Sequence, residues 1–218
     1  MNILHSPLLR NISENEYKNM CKLHHAREVQ YEKNTTIFHA GDTVHEIGIV
    51  MCGSVNIENL DLWGNKSILS NIPSGGIFAE VYALCHEPMM VDVTAAEKSG
   101  ILFLNANALM DGKYSGNSWH SKMLSNFLDI SMRKNLALSE RIFCTTPKTI
   151  RGRLLIFLSA QAKRAESTTF QIPFSRQQLA DYLNLDRSAL SKELGKMRDD
   201  GLLDFYKNTF QIKRIDSI

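Results

Sequence analysis

Phe174-Ser-Arg-Gln-Gln-Leu-Ala-Asp-Tyr-Leu-Asn-Leu-Asp-Arg-Ser-Ala-Leu-Ser-Lys-Glu-Leu194 reads as two short helices joined by a tight turn. Ser175 caps the first helix, and Gln178 three residues on completes an S-x-x-Q capping box. Leu179 and Leu183 are four apart and share a face, with small Ala180 between them where two helix backbones must approach. Asn184 falls at the turn, where a left-handed residue is needed and Asn tolerates it. Asp186 caps the second helix and suits its positive end. Leu190 and Leu194 hold that helix to a core. This is the pattern of a helix-turn-helix, whose second helix enters the major groove of DNA.

The outward residues of the second helix are Arg187, Ser188, Ser191 and Lys192. Arg pairs with two acceptors of guanine, and Ser bonds a base or a phosphate. Arg187, Ser188 and Lys192 are expected as base-edge readers, with Ser191 close by. Arg176 and Lys196 are better placed for phosphates, which position a protein without reading sequence. A plain helical hairpin with a solvated basic face would share the short match. The residues C-terminal to it are more specific. Arg198-Asp-Asp-Gly201 ends a helix with Gly201 as its C-cap, and 202–206 and 210–212 read as strands around Lys207-Asn208-Thr209. They predict a β-wing with Lys207 at its tip.

The charge distribution agrees. Residues 1–140 hold 11 Lys/Arg and 15 Asp/Glu, a net of −4, and residues 141–218 hold 14 and 8, a net of +6; together they give the +2 of the whole chain. A basic C-terminal third suits a polyanion. At 218 residues the chain has room for two domains, and 44% hydrophobic with 22% charged residues is an ordinary soluble composition. No run of roughly 18 apolar residues predicts a membrane span, and the N-terminus lacks a secretion pattern, so a cytoplasmic location is expected.

Residues from about 31 to 104 alternate short apolar segments with Gly-centred turns: 47–51, a turn at 52–54, 55–57, a turn at Trp63-Gly64-Asn65, 67–69, Gly75-Gly76, 91–95, a turn at Gly100, and 101–104. Many short strands at such spacing predict a β-sandwich or jelly roll. The histidines could suggest a jelly-roll metalloenzyme. However, His39, His45, His86 and His120 are isolated, and His24-His25 point apart on a helix. No metal site or catalytic residue is expected. Cys21, Cys52, Cys85 and Cys144 form no C-x-x-C pair and are expected as free thiols, with a redox-sensing cysteine left open.

Residues 118–143 are helical in pattern. Leu124, Leu128, Ser131, Asn135, Leu138 and Ile142 recur at spacings 4, 3, 4, 3, 4, a heptad seam that pairs two helices. Trp119, Met123, Phe127 and Ile130 make a second stripe suited to the β-roll. One amphipathic helix in a monomer would need a single stripe; two favour a homodimer. The spacing then predicts a hinge at 143–146, with Thr146 capping and Pro147 opening a helix from Lys148 to Ala162, and a strand at 168–172.

A β-roll, a long helix, a hinge and a winged helix-turn-helix in this order resemble the Crp/Fnr family of bacterial transcription regulators. The resemblance covers nearly the whole chain. Its most specific pieces are Gly41-Asp42, Ile49-Val-Met-Cys-Gly53-Ser-Val55, Gly75-Gly-Ile-Phe-Ala-Glu80, Ser175-Arg-Gln-Gln-Leu-Ala180 and Arg187-Ser-Ala-Leu-Ser-Lys192. It implies an α+β chain with a jelly-roll sensor domain over 1–115, a long dimerisation helix over 116–143 and a winged helix-turn-helix DNA-binding domain over 144–218. It also implies a dimer on inverted-repeat double-stranded DNA, a small effector held between roll and helix, and recruitment or blocking of RNA polymerase. Cyclic-nucleotide-binding members carry an Arg-Ser pair after the Glu that corresponds to Glu80; here Met90 and Val91 stand there. An apolar pair cannot answer a phosphate's charge, which argues against cyclic AMP. Oxygen-sensing members use an N-terminal cysteine cluster, and this chain has only Cys21 in that region. No histidine is placed as a haem ligand, so no cofactor is expected. Glu80, Val81, Tyr82, Met90 and Val91, with Asn135 from the long helix, are the expected pocket for an unidentified organic effector, or for none. A metalloenzyme with an accessory helical domain and a cyclic-nucleotide module acting without DNA are the competing readings.

Overall fold

The structure, a computed structural model, describes residues 6–22, 26–60 and 66–213, with the backbone alone for Lys66. The turn expected at 63–65 and the pair His24-His25 lie outside the described residues. The chain divides into two compact units, Met1–Met132 and Arg133–Ile218, each with its own core.

The first unit holds two four-stranded antiparallel sheets. One runs in the order β1 (Ala26–Tyr31), β8 (Ser99–Asn105), β3 (Glu46–Cys52) and β6 (Ile77–Phe78). The other runs β2 (Thr36–Phe38), β7 (Asp92–Ala95), β4 (Ser54–Leu60) and β5 (Lys66–Pro73). Between them lies an apolar core built on Ile47, Ile49, Val55, Val93, Leu102 and Phe103. Phe38, Phe78 and Phe103 meet edge-on there, with centroids 5.7 to 6.5 Å apart, a geometry that aligns ring edges with ring faces. β1 is not legible as a strand because Ala-Arg-Glu-Val-Gln-Tyr carries little alternation; its pairing with β8 across six residues makes it one.

Gly100 is not the turn expected of it. It lies inside β8, opposite Gln30, and the chain bends instead at 96–98. A Cβ on Gly100 would stand 2.7 Å from Gln30 Nε2 and 3.0 Å from Cys52 Sγ. The residue is glycine for close approach, which a sequence scan reads as a turn signal.

This unit also holds the α-helices α1 (Glu14–Lys22), α2 (Glu80–Cys85) and α3 (Ala106–Met110), two single-turn 3-10 helices at Pro7–Leu9 and Gly112–Tyr114, and the opening of α4 (Ser118–Thr145). Trp119 and Met123 of α4 are buried in the β-roll core, and Phe127 and Ile130 pack against it. These four are the second stripe read beside the heptad seam. Asn126 of α4 is buried and donates to the carbonyls of Leu8 and Arg10 at 3.0 and 2.7 Å, fixing the N-terminal segment. Glu16 of α1 accepts from Lys122 Nζ at 2.8 Å, from Ser118 Oγ and from the Ser13 N–H. These donors hold its carboxyl down from 4.5 to about 2. Because the folded value lies below the unfolded one, the contribution is present above about pH 4.5 and is lost as pH falls towards about 2. Glu16→Gln should therefore flatten the fall of the thermal midpoint across that window; parallel decline of variant and wild type would show that the cluster contributes no pH-dependent stability.

The second unit contains the rest of α4, then α5 (Ile150–Ala165), β9 (Thr169–Gln171), α6 (Arg176–Tyr182), α7 (Arg187–Asp199), β10 (Leu203–Tyr206) and β11 (Thr209–Ile212). β9 adds to the β10–β11 hairpin as a third strand. The expected cap at Thr146 is corrected to Thr149, whose Oγ1 accepts from Gly152 N at 3.0 Å. The long helix runs two residues further than anticipated, to Thr145, and the Thr145 and Thr146 hydroxyls donate to the carbonyls of Arg141 and Ile142 at its end, at 2.8 and 2.7 Å. Pro147 then forces its predecessor out of helical geometry. Cys144, placed in the hinge by the sequence, is buried in the core of this unit.

Candidate functional site

Every local signal in the helix-turn-helix has its physical counterpart. Ser175 Oγ accepts from Gln178 N, and Gln178 Oε1 accepts from Ser175 N at 2.8 Å, closing the capping box. α6 ends with Asn184 in the left-handed region at φ 52. Leu185 N donates to Ala180 O at 2.9 Å and Asn184 N to Asp181 O at 3.3 Å. This 6→1 and 5→2 pair is a Schellman motif, and it forms the turn. Asp186 caps α7 by accepting from Ala189 N at 2.8 Å. Bonds from the Ser188 hydroxyl and from that amide hold the Asp186 carboxyl below its ordinary value.

Leu179, Ala180, Leu183, Leu190, Leu194 and Met197 are completely buried, so α6 and α7 cross over a dry contact. Arg187, Ser188, Ser191, Lys192 and Lys196 lie on the exposed side of α7. The 187/191 and 188/192 spacings put them on one face. Ser188 Oγ is engaged with the cap carboxylate, leaving its oxygen free to accept. Lys196 lies 3.9 Å from Glu193, which is itself 2.7 Å from Arg151. α7 closes with a second Schellman motif: Leu202 N donates to Met197 O and Gly201 N to Arg198 O, with Gly201 at φ 74.

The wing is a hairpin in which Tyr206 pairs with Thr209 across Lys207-Asn208, and Lys207 takes φ 53. Arg176 is not displayed like the α7 cations. Its guanidinium lies 5.1 and 5.5 Å from the ring centroids of Phe205 and Phe210, and Nη2 donates to Lys207 O at 3.0 Å. Burial pushes the guanidinium down from its ordinary value. Arg176 thus braces the wing tip while Lys207 projects from it. The bracing is invisible in the sequence because Phe205, Lys207 and Phe210 lie about thirty residues away along the chain. An open cleft of about 740 Å³ between the 171–176 segment and Lys207-Asn208 borders this contact.

In the first unit Glu80 opens α2 and is buried, with Ala79 before it at φ 63. Val81 is exposed and Tyr82 half-buried. Met90 is 78% exposed, and Val91, half-buried, precedes β7. Asn135 lies on α4 in the second unit, is exposed, and accepts from Ser139 Oγ at 3.4 Å. Of the seam residues, Leu124 packs on the β-roll core and Ser131 is half-buried, whereas Leu128, Leu138 and Ile142 are exposed. Met132, Leu136 and Phe143 are also exposed on this helix, each by more than 60%. The heptad seam does not include these three, although Met132 lies four residues after Leu128, Leu136 four after Met132 and Phe143 five after Leu138.

Among the described residues no group of three His, Cys, Asp or Glu could hold a metal ion, and no helix is long and apolar enough to cross a membrane. All four cysteines are free; Cys52 and Cys85 are exposed, and burial pushes the thiols of Cys21 and Cys144 up.

A two-sheet roll leading into a long helix, and a winged helix-turn-helix whose second helix carries an exposed cationic face, make the architecture of a DNA-binding transcription regulator. The cyclic nucleotide-binding domain family matches residues 28–111, and the Crp-like helix-turn-helix domain family matches residues 152–217. The chain belongs to the Crp/Fnr family of transcription regulators, whose members bind DNA and are not enzymes. Solved structures with the same fold include CprK complexed with OCPA, 12% identical, covering 90% of this chain and 89% of that one with a TM-score of 0.59. The c-di-GMP-responsive global regulator CLP of Xanthomonas campestris is 19% identical, covering 93% and 100%, with a TM-score of 0.54. A cyclic nucleotide-binding domain from Methylobacillus flagellatus is 16% identical, covering 65% and 81%, at 0.54. No curated protein sequence matches significantly.

Proposed function

We propose that this regulator acts as a homodimer on an inverted-repeat operator, reading bases with Arg187, Ser188 and Lys192, with Ser191 beside them. Lys196, Lys207 and Arg176 meet the phosphate backbone, Arg176 from the start of α6 beside the wing it braces. The single observation that carries the reading is the exposed cationic face of α7, set directly opposite a fully buried Leu/Met face. Lys207→Ala should weaken binding to all duplexes alike. It should also reduce the slope of log affinity against log salt by about 1, because one fewer counterion is released. A loss confined to one sequence would give Lys207 a base-reading role instead.

The dimer is supported by the apolar side chains that α4 leaves in water: Leu128, Met132, Leu136, Leu138, Ile142 and Phe143. A lone helix seldom keeps so continuous an exposed apolar face. Leu124, Ser131 and Asn135 complete the proposed seam, and Asn135 is a polar position able to fix its register. Sedimentation equilibrium should give twice the chain mass at micromolar concentration; a monomer there would contradict the seam.

The division into a sensor domain over 1–115, a dimerisation helix over 116–143 and a DNA-binding domain over 144–218 belongs to the same proposal, as does contact with RNA polymerase. For the effector, Glu80, Val81, Tyr82, Met90 and Val91 offer one buried carboxylate among mostly apolar groups and no cation of their own. They suit an organic molecule without a phosphate better than cyclic AMP. Calorimetry with cyclic AMP and cyclic GMP should show no heat of binding at the roll; saturable binding at a stoichiometry of one per chain would overturn this.

A further inference from the structure

The turn of the helix-turn-helix is held from outside by two arginines. From α4, Arg141 Nε donates to the Tyr182 carbonyl at 3.2 Å, and Nη2 donates to the Asp181 carbonyl at 3.3 Å and to Asn184 Oδ1 at 3.2 Å. Its guanidinium also lies 5.9 Å from the Tyr182 ring centroid. From α5, Arg153 Nη1 donates to the carbonyls of Leu183 and Asn184 at 2.9 and 3.0 Å, while Nε donates to Pro147 O at 2.8 Å. Four consecutive carbonyls, 181 to 184, therefore receive a guanidinium proton. Those of 181 to 183 belong to the end of α6, where a helix runs short of intrahelical donors and carries the negative end of its dipole; the Asp181 carbonyl also accepts from Asn184 N, and the Asn184 carbonyl lies just beyond the helix. Asn184, which both arginines reach, is the left-handed residue that sets the direction of α7.

We propose that Arg141 and Arg153 are positioning residues that lock the helix-turn-helix turn, Arg141 to the last turns of the long helix and Arg153 to α5 and the Pro147 link that follows the long helix, so that the bearing of the recognition helix follows α4. Neither residue reads DNA; both act through backbone carbonyls of the turn. The role rests on the reading of α4 as the helix that pairs two chains: only in a dimer does the bearing of α7 on α4 set the separation of two recognition helices. A guanidinium can serve several acceptors at once in a fixed fork, which an ammonium cannot. Arg141 is exposed and lies outside the apolar core of the winged unit, so the core holds its shape when the clamp is removed.

The test uses the full-length chain and an inverted repeat recovered by selection from random DNA. Three duplexes are compared: the full repeat, the same repeat with its half-sites moved apart by about half a helical turn, and a single half-site. Wild type should prefer the native spacing. Arg141→Gln should keep half-site affinity within about twofold, keep its thermal midpoint, and lose about tenfold on the full repeat, flattening the spacing preference. Arg141→Lys should restore part of that loss. Wild-type spacing preference in Arg141→Gln would overturn the proposal. So would an equal loss on half-site and full site with a lowered midpoint, which is the mark of a merely structural residue. Wild-type indifference to spacing would overturn the dimer reading and this role with it, whereas a spacing-selective wild type with an unaffected variant would overturn this role alone.

Discussion

Arg187→Ala should lower affinity for the operator by about 1–3 kcal/mol, roughly fivefold to more than a hundredfold, and should relax the preference at one base position in each half-site. The argument starts from where the residue lies. Arg187 is the first residue of α7, exposed, immediately after the Asp186 cap, at the end of the recognition helix that faces base edges in this class of motif. Its guanidinium makes no ion pair among the described residues, so truncation removes nothing that the fold uses. Stability should stay within about 0.5 kcal/mol, as for other surface substitutions. Affinity for random duplex should fall only by the loss of one charge. Loss of specific binding with stability intact isolates base reading; unchanged specificity would mean that another face of α7 reads the groove.

Leu190→Ala should act in the opposite way, destabilising the winged unit by about 2–5 kcal/mol. Leu190 is completely buried and shares its core with Leu179, Ala180, Leu183, Leu194 and Met197. These residues belong to two short helices whose capping and turn hydrogen bonds cannot compensate for a cavity at their crossing. A domain of this size has about 5–15 kcal/mol in total, so the loss is a large part of it. Denaturant unfolding should show a lower midpoint with unchanged slope, and DNA affinity should recover on cooling within the folded range. A loss below about 1 kcal/mol would show that the α6–α7 contact relaxes around the gap.

The contrast between Arg187 and Leu190 shows how much of the site the sequence carries. The capping box at Ser175 and Gln178, the left-handed Asn184, the Asp186 cap and the buried leucines are all local chemistry, fixed within four or five residues. Each is legible because the physical requirement and the residue that meets it sit side by side. The Trp119–Ile130 stripe is readable for the same reason, since helical periodicity repeats locally. The features that a sequence hides depend on partners distant in the chain. Arg176 reads as a free cation until Phe205 and Phe210 are folded beneath it. Arg141 and Arg153 look like ordinary helix-surface charges until Asp181–Asn184 arrive in front of them. Gly100 looks like a turn until Gln30 and Cys52 close in on both sides. β1 lacks alternation because its strand character comes from β8. The long helix ends at Thr145, where Thr146 N still donates to the Ile142 carbonyl, a boundary that the propensity of two β-branched threonines does not specify.

The most direct test of the central claim is selection of bound duplexes from a random DNA pool by the purified full-length chain at near-physiological salt. A dimeric reader of this geometry should enrich an inverted repeat whose half-sites lie one helical turn apart, about 34 Å centre to centre. Enrichment of a single unpaired half-site, or of no sequence with or without cell extract present, would contradict it.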